Sequence, residues 1–158
     1  MTKICLALGV ICLATAALAD EAAAKPAAKK MAKTPVMMSA ADLKWADMPV
    51  KGVLSAPLWG DMKKGAFGSL IKFSAGTDVP LHTHSSDLKL VVISGPVYTG
   101  ADAASFKDFG PGSYVLQPAG WKHVTGCRAG ADCLFLTEGN GKFDLKPAGE
   151  AKPAEAKK

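Results

Sequence analysis

The sequence predicts an all-β protein in which one small β-barrel domain is carried between two solvated tails. Three observations lead there. Short β-branched and aromatic runs recur between residues 51 and 145, divided by glycine and proline at close intervals. The span from Ser39 to Leu145, about 107 residues, can fill one hydrophobic core and not two. The chain on either side is rich in alanine, lysine and proline and poor in large apolar groups.

Residues 1–19 read as a secretory signal peptide. Met1-Thr2-Lys3 is a short positive start, Ile4 to Ala17 is apolar but short for a bilayer span, and Ala17-Leu18-Ala19 supplies the small-x-small cleavage pattern. Ile11 before Cys12 argues against a lipid attachment site, which needs a small residue there. Cleavage after Ala19 leaves no transmembrane segment and implies a secreted or periplasmic protein.

Residues 20–38 and 147–158 are expected to be flexible tails, since they bury too little apolar surface to offset the entropy of ordering. They also hold the excess charge. The chain carries +5 overall, yet residues 39–145 contain ten basic and ten acidic side chains. A nucleic-acid-binding domain concentrates positive charge on its folded surface. This one does not, so no nucleic-acid partner is implied.

The domain, residues 39–146, opens with a short helix expected over Ser39–Trp45, with Ser39 as cap and Asp42 three residues on. Strands are expected at Val53–Leu58, Phe67–Phe73, Leu88–Ser94, Ser113–Gln117, His123–Cys127 and Cys133–Thr137, with a weaker one at Lys142–Leu145. The turns between them include Ser74-Ala75-Gly76, Gly95-Pro96, Phe109-Gly110-Pro111-Gly112 and Gly139-Asn140-Gly141. Loop patterns for dinucleotides or phosphates are absent. Val91 and Ile93 fall on the strand face opposite the histidine side, where they need cover, so a homodimer is an open possibility.

Two of the four cysteines lie in the signal peptide. Cys127 and Cys133 remain, separated by Arg-Ala-Gly-Ala-Asp, and an oxidising compartment favours a disulfide between them. With a turn at Ala129-Gly130-Ala131, the two can face each other across a hairpin.

The chemistry concentrates on histidine, of which there are three: His82, His84 and His123. Alternate residues of a strand share a face, so His82 and His84 can reach one point. His123 follows the Pro118-Ala119-Gly120 turn and can join them from a second strand. Three imidazoles suit Zn, Fe, Cu, Mn or Ni and leave coordination positions open. A structural zinc site would normally close with a fourth protein ligand.

The spacing carries a resemblance. Gly76, His82, His84 and Gly95 follow the pattern G-x5-H-x-H-x3,4-E-x6-G, and Gly112, Pro118, Gly120 and His123 follow G-x5-P-x-G-x2-H-x3-N. These are the two motifs of the cupin superfamily, which the chain resembles from about Trp45 to Leu145. The segments LWGD (Leu58–Asp61), HTHSSDLKLVVISG and GSYVLQPAGWKHVTGC look like a group of exported cupins of unassigned function, similar to acetylacetone dioxygenase, a three-histidine enzyme. The resemblance implies a jelly-roll-like barrel with a divalent transition metal on His82, His84 and His123. Fe2+ is favoured, with Zn2+, Mn2+, Ni2+ and Cu2+ open.

Two departures matter. Leu88 stands where the pattern has glutamate, so the usual carboxylate ligand is missing. Asp87 beside it points to the opposite strand face from His84. Cys127 stands where the pattern has asparagine; it shares a face with His123 and Thr125, and as a free thiolate it could ligate, but as a disulfide it could not. Leu88, Trp121, Tyr98 and Tyr114 are candidate pocket residues, Glu138 is a candidate for orienting a histidine, and Asp61 is more easily read as a turn residue. No catalytic side chain beyond the histidines is assignable. The expectation is an exported, oxygen-dependent oxidoreductase acting on a small metal-chelating substrate such as a β-dicarbonyl. The alternative is a non-enzymatic metal-dependent module that binds or senses a small anionic ligand.

Overall fold

Glycine and proline cut the domain into eleven short strands: β1 (Ala46–Asp47), β2 (Val53–Gly60), β3 (Phe67–Phe73), β4 (Asp78–Thr83), β5 (Leu88–Ser94), β6 (Val97–Gly100), β7 (Lys107–Phe109), β8 (Tyr114–Gln117), β9 (His123–Cys127), β10 (Cys133–Gly139) and β11 (Lys146–Pro147). This computed structural model describes residues 34–149. The expected signal peptide and most of both expected tails lie outside the described residues. Among those described, no helix is long and apolar enough to cross a membrane.

The strands form two antiparallel sheets, one ordered β1-β2-β3-β10-β5-β8 and the other β11-β4-β9-β6-β7. Their inner faces supply the core. Along β5, Leu88, Leu90 and Val92 are buried while Lys89, Val91 and Ile93 are exposed, which is the period-2 alternation of a half-buried strand. Phe67, Ile71 and Phe73 from β3 and Phe135 from β10 meet them, and Phe73 packs edge-on to Phe135 at 5.2 Å. Val79, Val97 and Cys127 of the second sheet join the same core, so the two sheets pack into a jelly-roll-like barrel, as expected.

Three expected strands, Phe67–Phe73, Leu88–Ser94 and His123–Cys127, occur with those bounds. Four others differ. The weak strand at Lys142–Leu145 does not form; the two residues after it, Lys146 and Pro147, pair with Thr83 and His82, and the Ala148 amide then donates to the Leu81 carbonyl at 2.9 Å. Ordered pairing therefore runs past the expected start of the tail at residue 147. Strands β1, β6 and β7 were not expected, and β4 was expected only as a strand without bounds carrying His82 and His84. Pro80 masks β4, because proline is excluded from regular ladders.

The expected helix at Ser39–Trp45 is a single 3-10 turn, Ala40–Asp42. The Asp42 carboxylate accepts from both the amide and the hydroxyl of Ser39, at 3.1 and 2.7 Å, closing the turn locally. Strand β1 begins only four residues later, which leaves no room for further helix.

Cys127 and Cys133 form a disulfide, with Cα atoms 5.8 Å apart and both residues buried. They do not face each other across a hairpin as expected. β9 and β10 belong to different sheets, so the bond ties one sheet to the other. Cys127 is thereby removed as a metal ligand. Gly95, at φ +77°, packs against this link: a Cβ there would lie 2.8 Å from the Cys133 sulfur.

Candidate metal centre

The three histidines are brought together by a bulge and a turn. In β4 the register slips between Val79 and His82. Both residues are buried although they are three apart, because Pro80 and Leu81 insert one extra residue and re-aim the strand. His82 then stands directly opposite His123 of β9, with ring centroids 4.3 Å apart. His84 lies just past the end of β4, 4.8 Å from His82 and 5.3 Å from His123 between centroids.

The Pro118-Ala119-Gly120 turn delivers His123. The Trp121 amide donates to the Pro118 carbonyl at 3.1 Å, and Gly120 sits at φ +75°, as the third position of such a turn requires. The Gly120 amide donates to the His84 carbonyl at 2.9 Å, and Asp87 accepts from the Ala119 amide at 2.8 Å. Asp87 thus points away from the histidine side and anchors the turn instead.

Each imidazole has its Nδ1 tied to a backbone carbonyl: His82 to Pro80 at 2.7 Å, His84 to Asp144 at 2.5 Å and His123 to Trp121 at 2.9 Å. A carbonyl only accepts, so in all three rings the proton belongs on Nδ1 and the Nε2 lone pair is left free. The potential ligand atoms lie within 4.8 Å of one another. His123 is fully buried, and its Nε2 has no hydrogen-bond partner. Burial holds the imidazoles neutral: it pushes His82 and His123 down to about 4 and lowers His84 as well. Neutral imidazoles with one nitrogen held and the other unpartnered are a donor set that fits a divalent transition metal.

A cavity of about 80 Å³ adjoins the histidines. His82 and His84 line it, with Leu88, Leu90, Gln117 and Thr137 among the rest of its wall. Among the described residues, no Asp, Glu, Lys or Arg lines it. Gln117 has no counterpart in the sequence reading. Its Nε2 donates to Thr125 Oγ1 at 2.9 Å, Thr125 lies 3.2 Å from Thr99 Oγ1, and Thr99 donates to the Val124 carbonyl at 2.7 Å.

Leu88 is therefore in the wall, as its strand parity indicates. Trp121 is not among the lining residues; its ring stacks on that of His123 at 4.6 Å and 14°, supporting the imidazole from outside the cavity. Tyr98 and Tyr114 are corrected outright, both for reasons of alternation. Val97 and Thr99 take the inward positions of β6, so Tyr98 faces out, against Phe106 and under the Arg128 guanidinium, 4.1 Å from its ring centroid. Val115 and Gln117 take those of β8, leaving Tyr114 56% exposed.

Asp144, rather than Glu138, braces a histidine. Besides the carbonyl that accepts from His84, its carboxylate accepts from the Ser85 amide at 2.7 Å and the Ser85 hydroxyl at 2.6 Å, with Lys146 Nζ 3.4 Å away. Burial raises the Asp144 pKa, but these hydrogen bonds outweigh it and hold the carboxyl below its ordinary range. Phe143 alongside packs on His84 at 5.3 Å. Asp61 serves a turn, accepting from the Lys63 amide at 2.9 Å and pairing with Lys64.

A family model described as "Domain of unknown function (DUF4437)" matches residues 37–157. The chain belongs to the DUF4437 family. No curated protein matches it. Among solved structures, this DUF4437 domain is similar to the polyketide cyclase RemF from Streptomyces resistomycificus, at TM-score 0.63 and 16% identity over 75% of this chain and 89% of that one. It is also similar to an RmlC-like cupin protein from Ralstonia eutropha JMP134, at TM-score 0.60 and 18% identity over 77% and 78% of the two chains. KdgF from Halomonas sp. gives TM-score 0.56 and 15% identity over 68% and 94%. At these identities the likeness is one of fold: the DUF4437 domain has the cupin-like fold of these structures.

Proposed function

We propose that the protein is an exported metal-binding cupin in which His82, His84 and His123 hold a divalent transition metal, with Fe2+ favoured. It acts as a dioxygenase-like oxidoreductase on a small metal-chelating substrate. One observation carries the reading: three buried imidazoles have their Nδ1 atoms bound to carbonyls and their ligand atoms within 4.8 Å of one another. The ion would supply Lewis acidity and one-electron chemistry with dioxygen. The chain's own residues do the rest. Three neutral ligands leave the ion's charge uncompensated, because Leu88 replaces the carboxylate of the motif. An anionic oxygen ligand, such as the enolate of a β-dicarbonyl, would be attracted there. The apolar wall lowers the local polarity and strengthens that attraction. The resemblance of the sequence segments to exported cupins similar to acetylacetone dioxygenase supports the same substrate class, and the signal-peptide pattern of residues 1–19 supports export.

The test is oxygen uptake by metal-loaded protein, purified without a histidine tag, over a panel of β-dicarbonyls. Uptake that depends on both substrate and metal supports the reading; metal-loaded protein that consumes no oxygen with any chelating substrate opposes it. A second reading has its own support. His82 and His84 are the only titratable side chains among the described residues lining the cavity, and each has its Nδ1 engaged. A site with no spare acid or base suits a module that binds a small anion without transforming it. Tight binding of a β-dicarbonyl without turnover would favour that module.

A further inference from the structure

Among the described residues, two buried side-chain polar atoms lack a hydrogen-bond partner: His123 Nε2 and Thr137 Oγ1. Native interiors satisfy nearly all such atoms, so each orphan calls for an explanation. His123 Nε2 has one in the proposed metal. Thr137 has none inside the protein. It lies on the inward face of β10, 4% exposed, and lines the same cavity as His82 and His84. Its cross-strand neighbours do not help: Leu90 has no polar group, and Ser69 donates to the Ala56 carbonyl at 2.9 Å. Nearby, Gln117 Nε2, Thr125 and Thr99 form a chain that ends on the Val124 carbonyl, so those two threonine hydroxyls are engaged.

We propose that the Thr137 hydroxyl is a second anchoring point for the ligand of this cavity, and that the ligand is a small molecule with an anionic oxygen head, an apolar body and a second polar group. The inference rests on the metal-centre reading for the head and on Thr137 alone for the second group. The rest of the cavity wall decides the body. Leu88, Leu90, Ile71 and Phe135 line it and offer no hydrogen bond. A polar body would be desolvated on that wall without compensation, whereas an apolar one is not. A hydroxyl or carbonyl reaching Thr137 would gain a bond and also relieve the buried orphan.

The experiment compares straight-chain carboxylates of graded length with their ω-hydroxy counterparts, each titrated into the metal-loaded protein by calorimetry. At one chain length the hydroxy acid is expected to bind about 3- to 10-fold more tightly than the carboxylate of equal length, the range of one neutral hydrogen bond. Thr137→Val should abolish the preference and Thr137→Ser should keep it. Because Thr137→Val removes an unsatisfied hydroxyl at nearly constant volume, it should also raise the melting temperature of the ligand-free protein. Equal binding of both series at every length, binding of neither series, a preference that survives in Thr137→Val, or a lowered melting temperature in that variant would each overturn the inference. The metal reading fails separately. Carboxylates that bind His82→Ala as well as the wild type would sink the metal head, while a preference still lost in Thr137→Val would uphold the anchor.

Discussion

Leu88 stands directly opposite Gln117 across β5 and β8, and both side chains line the cavity entered by His82 and His84. The position that carries a carboxylate in the cupin motif is thus a leucine beside a neutral amide. Leu88→Glu puts the carboxylate back. Without metal it is a buried, unpaired charge and is expected to cost about 3 kcal/mol or more of stability. Metal should recover most of that loss by supplying a counter-charge. Thermal melts with and without Fe2+ or Zn2+ check this; a variant that metal does not rescue would show that Leu88 lies out of reach of the ion.

Acid should destabilise the metal-free domain through its histidines. Burial lowers all three below their ordinary value, His82 and His123 from 6.5 to about 4. As pH falls below 6.5 the unfolded chain takes up protons before the folded one. The stability is therefore complete above pH 6.5 and is lost as pH falls toward 4. Urea unfolding in chelator at several pH values between 7.5 and 4 should show the loss. Replacing all three histidines with asparagine should flatten the profile over that window, and a profile unchanged by the replacement would contradict the assignment.

Asp144 should govern metal affinity without touching metal. Its carboxylate clamps Ser85, next to His84, and its carbonyl holds the His84 ring. Asp144→Ala keeps the carbonyl but frees the segment, and it is expected to weaken metal binding about 10-fold in competition with a chelator. Glu138→Ala is the control. Glu138 follows the inward-facing Thr137, so its side chain leaves the cavity, and the substitution should leave affinity unchanged.

Reduction of the Cys127–Cys133 bond should lower stability by about 2 kcal/mol, the amount expected for a short closed loop. Because the bond joins the two sheets at the far end of β9 from His123, metal affinity should change less than stability does. Paired melts and chelator titrations, with and without reductant, measure both. Metal loss on reduction without loss of stability would reverse that order.

Much of this was legible in the sequence because the relevant signals are local. Phe67–Phe73, Leu88–Ser94 and His123–Cys127 alternate cleanly between turn residues, and the histidines carry fixed spacings within two short motifs. What was hidden depends on register or on chain far away. Pro80 disguises β4, and only the bulge it sits in explains why Val79 and His82 share a face. Asp144 lies 60 residues beyond His84, and no pattern near either residue announces their contact. Gln117 and Thr137 have ordinary strand sequences around them; their importance lies in the partners they have or lack. Tyr114 was the opposite case. It alternates with Val115 in the expected strand Ser113–Gln117 and so falls on the other face, while Tyr98 lies in β6, which was not expected; aromatic character alone suggested a pocket for both.

The central claim is that His82, His84 and His123 hold one metal ion together. The direct measurement is metal content of the untagged protein, by inductively coupled plasma mass spectrometry, beside the three single alanine variants. About one transition-metal ion per chain in the wild type, and almost none in any variant, is the predicted result. Metal-free wild type that stays empty after reconstitution with Fe2+, Mn2+, Ni2+, Cu2+ and Zn2+, or variants that retain full occupancy, would contradict it.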